Sequence, residues 1–106
     1  MLLIREVFHC KPGKVRQLVD KFHTMSDLNE KAGFGKMRVM TDFAGDQYWT
    51  LVAEMEMPSM AAFEDAMSGK GMTEEMGKQF EEIMKGYHDL IDHGHREIFK
   101  IEEKKS

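Results

Sequence analysis

EVFHCKPGKVRQLVDKF, residues 6–22, joins an apolar strand to an amphipathic helix through a Pro-Gly turn. Pro12 has no N–H to donate to a sheet, so the strand predicted over Leu2–Cys10 should end at about Lys11. After Gly13, apolar side chains recur at helical spacing: Val15, Leu18, Val19, Phe22, Met25 and Leu28. The segment therefore predicts a strand followed directly by a helix.

A weaker copy of this unit occurs later in the chain. A strand should end at Pro58, and Ser59 is a good N-cap for a short helix that reaches about Met67. Thr73 can cap a longer helix, which we expect to stop at His93-Gly94 before a last strand over 96–101. The helical spacing of that longer segment is carried by Met76, Phe80, Ile83, Met84, Tyr87, Leu90 and Ile91.

Between the two units, alternating residues predict a β-hairpin. Its third strand carries Trp49, and a connection of residues 44–46 aligns the apolar faces of the two strands. That register sets Lys36 opposite Glu54, an opposite-charge pair. The element order then favours a ferredoxin-like βαββαβ protein of class α+β, with a four-stranded antiparallel sheet and its helices on one face. At 106 residues we expect a single domain, 1–106.

The composition excludes several classes of protein. A net charge of −4 gives no overall attraction to nucleic acid. Cys10 is the only cysteine, which rules out an internal disulfide and favours a reducing compartment. Neither a signal-peptide core nor a long apolar run is present, so the sequence predicts a cytoplasmic protein with no membrane partner.

The alternation also predicts what each face of the sheet carries. Trp49, Leu51 and their odd-numbered neighbours should lie under the helices. The opposite face mixes apolar and charged side chains. Packing against a second copy of the same face would cover the apolar side chains and pair the charged ones. We therefore expect a homodimer with a cavity between two sheets, lined from this open face: Leu3, Arg5, Val7, His9, Arg38, Met40, Tyr48, Thr50, Val52 and Glu54.

The order of strand, Lys11-Pro12-Gly13-Lys14, helix, Trp-bearing strand and Ser-capped helix resembles the dimeric α+β barrel superfamily. Its members include antibiotic-biosynthesis monooxygenases, EthD-like proteins and NIPSNAP-like proteins. The resemblance implies a dimer that holds a small, often aromatic, organic molecule, and some relatives oxygenate polyketide-type substrates without a cofactor. Relatives that cleave haem use an Asn on the first strand and a helical His. Leu2–Cys10 has no Asn, and no His follows Trp49 before His88, so we expect no cofactor.

The candidate site lies on the open face. His9 could act as a general base and Tyr48 as a hydroxyl donor, and an Arg could hold an enolate or a carboxylate. The expected substrate-binding residues are Arg5, Val7, Arg38, Met40, Val52 and Glu54. A charge network between two subunits is the competing interpretation.

Other side chains with reactive groups have simpler explanations. His9 and Cys10 are strand neighbours that point to opposite faces, so they should not form a nucleophile pair. His88, His93 and His95 suggest zinc, but a helix exit commonly carries His and no further ligand completes the set, so we expect no metal.

The sequence thus predicts a homodimer that binds a small organic molecule. As an enzyme it would be a cofactor-independent monooxygenase or an isomerase-like protein. The alternative is a non-catalytic binding or accessory protein. A regulatory module of the ACT type and an RNA-binding sheet share this topology, but the chain has no partner enzyme domain and too few aromatics for RNA.

Overall fold

The computed structural model describes residues 1–104 of the chain. A four-stranded antiparallel sheet in the order β2-β3-β1-β4 carries three α-helices. This arrangement confirms the ferredoxin-like α+β fold. The elements are β1 Leu2–Cys10, α1 Val15–Lys31, β2 Arg38–Thr41, β3 Thr50–Met57, α2 Met60–Met67, α3 Glu74–Met84, a 3-10 turn Tyr87–Leu90 and β4 Ile91–Lys100. Over the described residues, no helix is both long enough and apolar enough to cross a membrane.

The main core lies between α1 and the centre of the sheet. Leu18 of α1 and Leu51 of β3 are fully buried, and the predicted stripe of α1 provides most of the remaining contacts. A smaller apolar cluster joins Ile4 and Met57 to Phe63 of α2. Both clusters lie on the same side of the sheet, so the helices cover one face, as predicted.

Both predicted helix caps are present. The Ser59 hydroxyl accepts a hydrogen bond from the Ala62 amide at 3.1 Å, and the Thr73 hydroxyl accepts one from the Met76 amide at 3.1 Å. Each cap satisfies an amide that the first helical turn leaves without a partner. The starts of α2 and α3 were therefore readable from single residues.

The predicted register of the hairpin is wrong by two residues. Arg38, not Lys36, lies opposite Glu54, and the connection runs over residues 42–49. Asp42 and Thr50 close this longer loop, because the Asp42 carboxylate accepts from the Thr50 amide at 2.8 Å. Odd positions still oppose odd positions, so the assignment of faces survives the shift.

The longer loop also changes the place of two aromatic residues. Trp49 has a positive φ of 61° and is 40% exposed at the end of the loop, so it does not belong to the core under the helices as predicted. Tyr48, also in the loop, is 86% exposed. The positive φ is strained for a residue with a Cβ, and it interrupts the alternation on which the prediction relied.

The C-terminal third also differs from prediction. Helix α3 ends at Met84, where the Lys21 ammonium donates to the carbonyls of Ile83 and Lys85 at 3.0 and 2.9 Å. Gly86, with φ of 78°, turns the chain into the 3-10 turn, and β4 begins at residue 91 rather than 96. Tyr87, Leu90 and Ile91 still pack on the core, which explains why their spacing predicted a longer helix.

Gly94 is an interior residue of β4 and does not end a helix. A Cβ at this position would lie 2.7 Å from the Val7 carbonyl oxygen and 2.9 Å from the Phe8 ring. Only glycine allows β4 to approach β1 this closely. His93 and His95, on either side of it, therefore lie on a strand rather than at a helix exit.

Candidate functional site

The open face of the sheet brings together side chains from all four strands. On β1 it carries Leu3, Arg5, Val7 and His9, and their direct partners on β4 are Phe99, Glu97, His95 and His93. Partners opposite each other in an antiparallel pair point to the same face. None of the residues that line the depression on this face comes from a helix.

Four charged side chains cross this face in one row, with alternating sign. Arg38 of β2 donates to Glu54 at 2.5 Å, and Arg5 of β1 donates to the other oxygen of Glu54 at 2.7 Å. Arg5 also contacts Glu97 of β4 at 3.5 Å. The register places each member directly opposite the next, so the row follows the strand order β2-β3-β1-β4.

Glu54 is the centre of this charge row. Its side chain is only 4% exposed, although no helix covers it. The hydrogen bond from Arg38, together with Arg5, holds the pKa of Glu54 below its usual range, against the opposite effect of burial. The same pair raises the pKa of Arg38. Both guanidinium groups are thus already paired with a carboxylate, which leaves neither as an open anchor for an enolate or a carboxylate.

An imidazole cluster lies beside the charge row. The His9 ring centroid is 4.5 Å from that of His93 and 6.5 Å from that of His95. On the other side, Nδ1 of His9 lies 3.1 Å from the Thr50 hydroxyl oxygen. Burial is the main cause that lowers the pKa of His9, and the nearby His93 and His95 lower it further. The lowered pKa favours the neutral imidazole, the form that can accept a proton.

A depression of about 510 Å³ connects the two groups on the open face. Its volume lies in the range of small-molecule sites, roughly 300–1,000 Å³. Its lining includes Arg5, Val7, His9, Met40, Val52 and Glu54, all predicted from the sequence. Arg38 contacts the site through its bond to Glu54.

Tyr48 is the predicted residue that this geometry does not bring to the site. It lies in the loop 42–49 with its side chain in solvent, whereas Gln47 before it and Thr50 two residues after it line the depression. The parity argument assumed a strand at Tyr48, and the strand begins only at Thr50. Its role as hydroxyl donor has no support from the arrangement of a single chain.

Sequence reasoning missed the contribution of β4. His95 and Glu97 line the depression and the His93 ring packs against His9, but His93 and His95 had been placed at a helix end, and Glu97, on the predicted last strand, had not been assigned to the site. The signal that could have found them is the alternation His93, His95, Glu97, Phe99 across Gly94, which is that of a strand. Thr50 was placed on the correct face, but its bond to His9 was not foreseen.

The remaining candidates lie apart from this site. His88 is in the 3-10 turn with its ring against Tyr87, at 3.9 Å between centroids, and does not join the other two C-terminal histidines. Cys10 is buried in the core on the helix side, where burial raises the pKa of its thiol, and it does not pair with His9. Within residues 1–104, no three His, Cys, Asp or Glu side chains converge on a position that would hold a metal ion.

A second cavity, of about 440 Å³, lies between the sheet and the helices. We call it the inter-layer cavity. Its lining is mainly apolar and includes Phe8, Phe22, Phe63 and Ala66. Seven methionines also contribute: Met25, Met37, Met55, Met57, Met67, Met72 and Met84. At its wall Arg96 pairs with Glu6 and lies over the Phe63 ring, 5.1 Å from the centroid. The methionine content was visible in the sequence, but methionine commonly fills gaps, and the cavity itself was not predicted.

The fold and the open face define a ferredoxin-like α+β protein with a polar site on an uncovered sheet. No protein-family model matches the chain, and no curated protein matches it. Solved structures do resemble it. An uncharacterized NIPSNAP domain protein from Burkholderia xenovorans is 12% identical with a TM-score of 0.74, covering 96% of this chain and 95% of that chain.

A NIPSNAP-like domain protein from the same organism is 10% identical with a TM-score of 0.76, over 99% of this chain and 88% of that chain. An antibiotic biosynthesis monooxygenase is 12% identical with a TM-score of 0.58, over 97% of this chain and 100% of that chain. These similarities confirm the predicted resemblance to this group of folds. At such low identities they establish the fold alone.

Proposed function

We propose that the protein is a homodimer that binds a small organic molecule between two open sheet faces, with His9 as a base toward that molecule. The observation that carries the proposal is the buried Glu54 carboxylate, paired by Arg5 and Arg38 beside a depression on a face that no helix covers. A buried ionic group on an uncovered surface is unusual, and such groups concentrate at interfaces and binding sites.

The charge row supports a second copy as the partner. Its signs run plus, minus, plus, minus from Arg38 to Glu97. A two-fold axis parallel to the strands, passing between β3 and β1, reverses this order in the facing sheet. Each Arg38 then faces a Glu97 of the partner subunit, and each Glu54 faces an Arg5 of the partner subunit. The row is therefore complementary to itself, which an isologous interface requires.

Exposed apolar side chains on the same face support the same partner. Met40 and Phe99 are 36% and 46% exposed at opposite edges of the open face. Burying them in a dimer removes apolar area from water, at roughly 25 cal/mol per Å². The depressions would then be closed from solvent, which strengthens every electrostatic interaction inside them.

His9 supports acid–base chemistry in the enclosed site. A neutral imidazole can take a proton from a bound molecule, and the two catalytic alternatives share this first step. In an isomerase the proton returns at another atom of the substrate. In a cofactor-independent monooxygenase the deprotonated substrate is oxidised by O₂. The similarity in fold to an antibiotic biosynthesis monooxygenase favours the second alternative.

Native mass spectrometry of freshly purified protein tests the proposal. We expect a dimer, with a ligand of a few hundred daltons on part of the population. The Arg38→Glu variant should dissociate, because it places two like charges in the row, whereas Lys36→Glu, outside the row, should remain dimeric. A wild-type monomer at micromolar concentration, or equal dimerisation constants for the two variants, would refute the interface.

The inter-layer cavity favours a second candidate function, that of a non-catalytic binding protein. Its walls are mainly apolar, the Glu6 and Arg96 charges pair with each other, and the remaining charged lining residue, Glu81, is exposed, so the cavity offers volume for an apolar molecule. Ala66→Phe should fill the cavity and abolish such binding without changing the dimer. A bound molecule that survives Ala66→Phe but is lost in His9→Phe would place the ligand on the open face instead.

A further inference from the structure

The hydrogen bonds around Thr50 determine which nitrogen of His9 carries the proton. The Thr50 hydroxyl lies 3.0 Å from the Gln47 carbonyl oxygen and 3.1 Å from Nδ1 of His9. A hydroxyl group has one hydrogen to donate, and a carbonyl oxygen can only accept. The hydroxyl hydrogen therefore goes to Gln47, and Nδ1 of His9 must be the donor in the second bond.

We infer that Thr50 is a positioning residue for His9: it holds the imidazole as the Nδ1–H tautomer and leaves the lone pair on Nε2. The arrangement has the form of a base with an orienting partner, in which one ring nitrogen is fixed so that the other can react. Thr50 is itself fixed, since its amide donates to Asp42 at 2.8 Å and it is the direct cross-strand partner of His9.

The lining of the depression limits what can bind to that lone pair. Asp42, Asp46, Glu54 and Glu97 bring four carboxylates, against the single guanidinium of Arg5. That guanidinium is already paired with two of the carboxylates. An anionic ligand would face net repulsion, while a neutral ligand with a hydroxyl or N–H group can donate to Nε2. This part of the inference rests on the proposed function, because it assumes that the depression holds a ligand.

Side-chain ¹H–¹⁵N correlation spectra at pH 8 test the tautomer directly on the wild-type protein. His9→Gln identifies the His9 signals among the five histidines. We expect the pattern in which Nδ1 is protonated and Nε2 is not. Thr50→Val removes the acceptor and should shift His9 toward the Nε2–H tautomer that an unconstrained histidine side chain prefers. Thr50→Ser should restore the wild-type pattern, and Thr41→Val, at another threonine that lines the depression, should not change it.

An Nε2–H pattern for His9 in the wild-type protein overturns the inference. So does a Thr50→Val spectrum in which the tautomer is unchanged. Should Thr50→Val fail to fold, the wild-type spectrum alone still decides the matter, because it reports the protonated nitrogen without any variant of Thr50.

Three probes of one size test the ligand class: 1-naphthalenemethanol, its methyl ether and 1-naphthoate, measured by fluorescence titration. We expect the alcohol to bind about 3- to 10-fold tighter than the ether, the worth of one neutral hydrogen bond, and the carboxylate to bind weakest. His9→Phe should abolish the preference for the alcohol. Loss of the preference in His9→Phe would place the probe on the open face, since His9 does not line the inter-layer cavity.

Tightest binding by the carboxylate, or an alcohol preference that persists in His9→Phe, overturns the ligand class. Failure of all three probes to bind counts against the proposed ligand site on the open face. The tautomer is then judged by the NMR measurement, so the two failures are distinguishable.

Discussion

The two faces of one sheet are stabilised by different means. On the helix face, the Leu51 side chain is fully buried in the apolar cluster beneath α1. On the open face of the same strand, Glu54 is almost as inaccessible, but its burial comes from Arg5, Arg38 and neighbouring strand residues. The helix face gains from removing apolar area from water, whereas the open face depends on the pairing of every charge. A strand whose side chains alternate between the two faces contributes to the core on one side and to the candidate site on the other.

The largest difference between the faces should appear at two neighbouring residues of β3. Leu51→Ala deletes a fully buried side chain and should lower the free energy of unfolding by about 3 kcal/mol. Val52→Ala, on the open face, should cost about 1 kcal/mol or less and act mainly on dimerisation. Urea denaturation at fixed protein concentration measures both, and equal losses would contradict the division into two faces.

Gly94 tests how closely the open face is held together at its β1–β4 seam. Gly94→Ala forces a methyl group against the Val7 carbonyl and should cost about 2 kcal/mol, because backbone must move. Gly77→Ala is the matched control within α3, where a Cβ meets nothing within 4 Å. There alanine should stabilise the helix by about 0.5–1 kcal/mol. Thermal unfolding of the two variants should therefore shift in opposite directions.

Glu54→Gln tests the open face through its charges. The variant leaves Arg38 with a neutral partner and Arg5 with Glu97 alone, and should cost about 1–2 kcal/mol, since both arginines keep some access to water. Glu56→Gln, an exposed carboxylate two residues further on, should change stability by less than about 0.5 kcal/mol. Because the folded pKa of Glu54 is lowered, its stabilisation is complete above the pKa of the unfolded chain. It is lost as the pH falls through the folded value.

The smallest expected effect is the pH dependence that His9 contributes. Its folded pKa lies below the ordinary value of 6.5, so the unfolded chain takes up the proton first as the pH falls. Stability should therefore decrease below about pH 6.5. The groups facing His9 are Thr50 on β3 with His93, His95 and Asp92 on β4, and only Asp92 opposes the shift.

His9→Gln should flatten this part of the stability curve, while His23→Gln, on the exposed side of α1, should leave it as in the wild type. Denaturation midpoints between pH 5 and pH 8 give the comparison. If stability depends on pH in the same way in both variants, His9 is not the source of this pH dependence.

Local chemistry was sufficient to predict much of the fold. Pro12 ended β1, Ser59 and Thr73 began α2 and α3, and the alternation of β1 and β3 assigned the two faces. Each of these rests on interactions within a few residues, which a sequence displays directly.

What could not be predicted depended on contacts between distant residues. The hairpin loop is set by Asp42 bonding to Thr50, and the end of α3 by Lys21 from another helix. The apolar side chains up to Leu90 pack on the core although this segment does not continue α3. Their spacing therefore predicted a longer helix, and the start of β4 was missed. The imidazole cluster was therefore missed, although one of its members, His9, had been placed correctly.

The bond between Lys21 and the end of α3 has a consequence for access to the inter-layer cavity. Helix α3 has no buried residue, yet Phe80 and Met84 form part of the cavity wall. Its apolar contacts with the core are made by partly buried side chains, Phe80, Ile83 and Met84. The ammonium of Lys21, with two carbonyl acceptors, is the polar attachment of that wall to α1. Outward movement of α3 to admit a bulky guest would therefore break these two hydrogen bonds as well as the packing of Phe80, Ile83 and Met84 on the core.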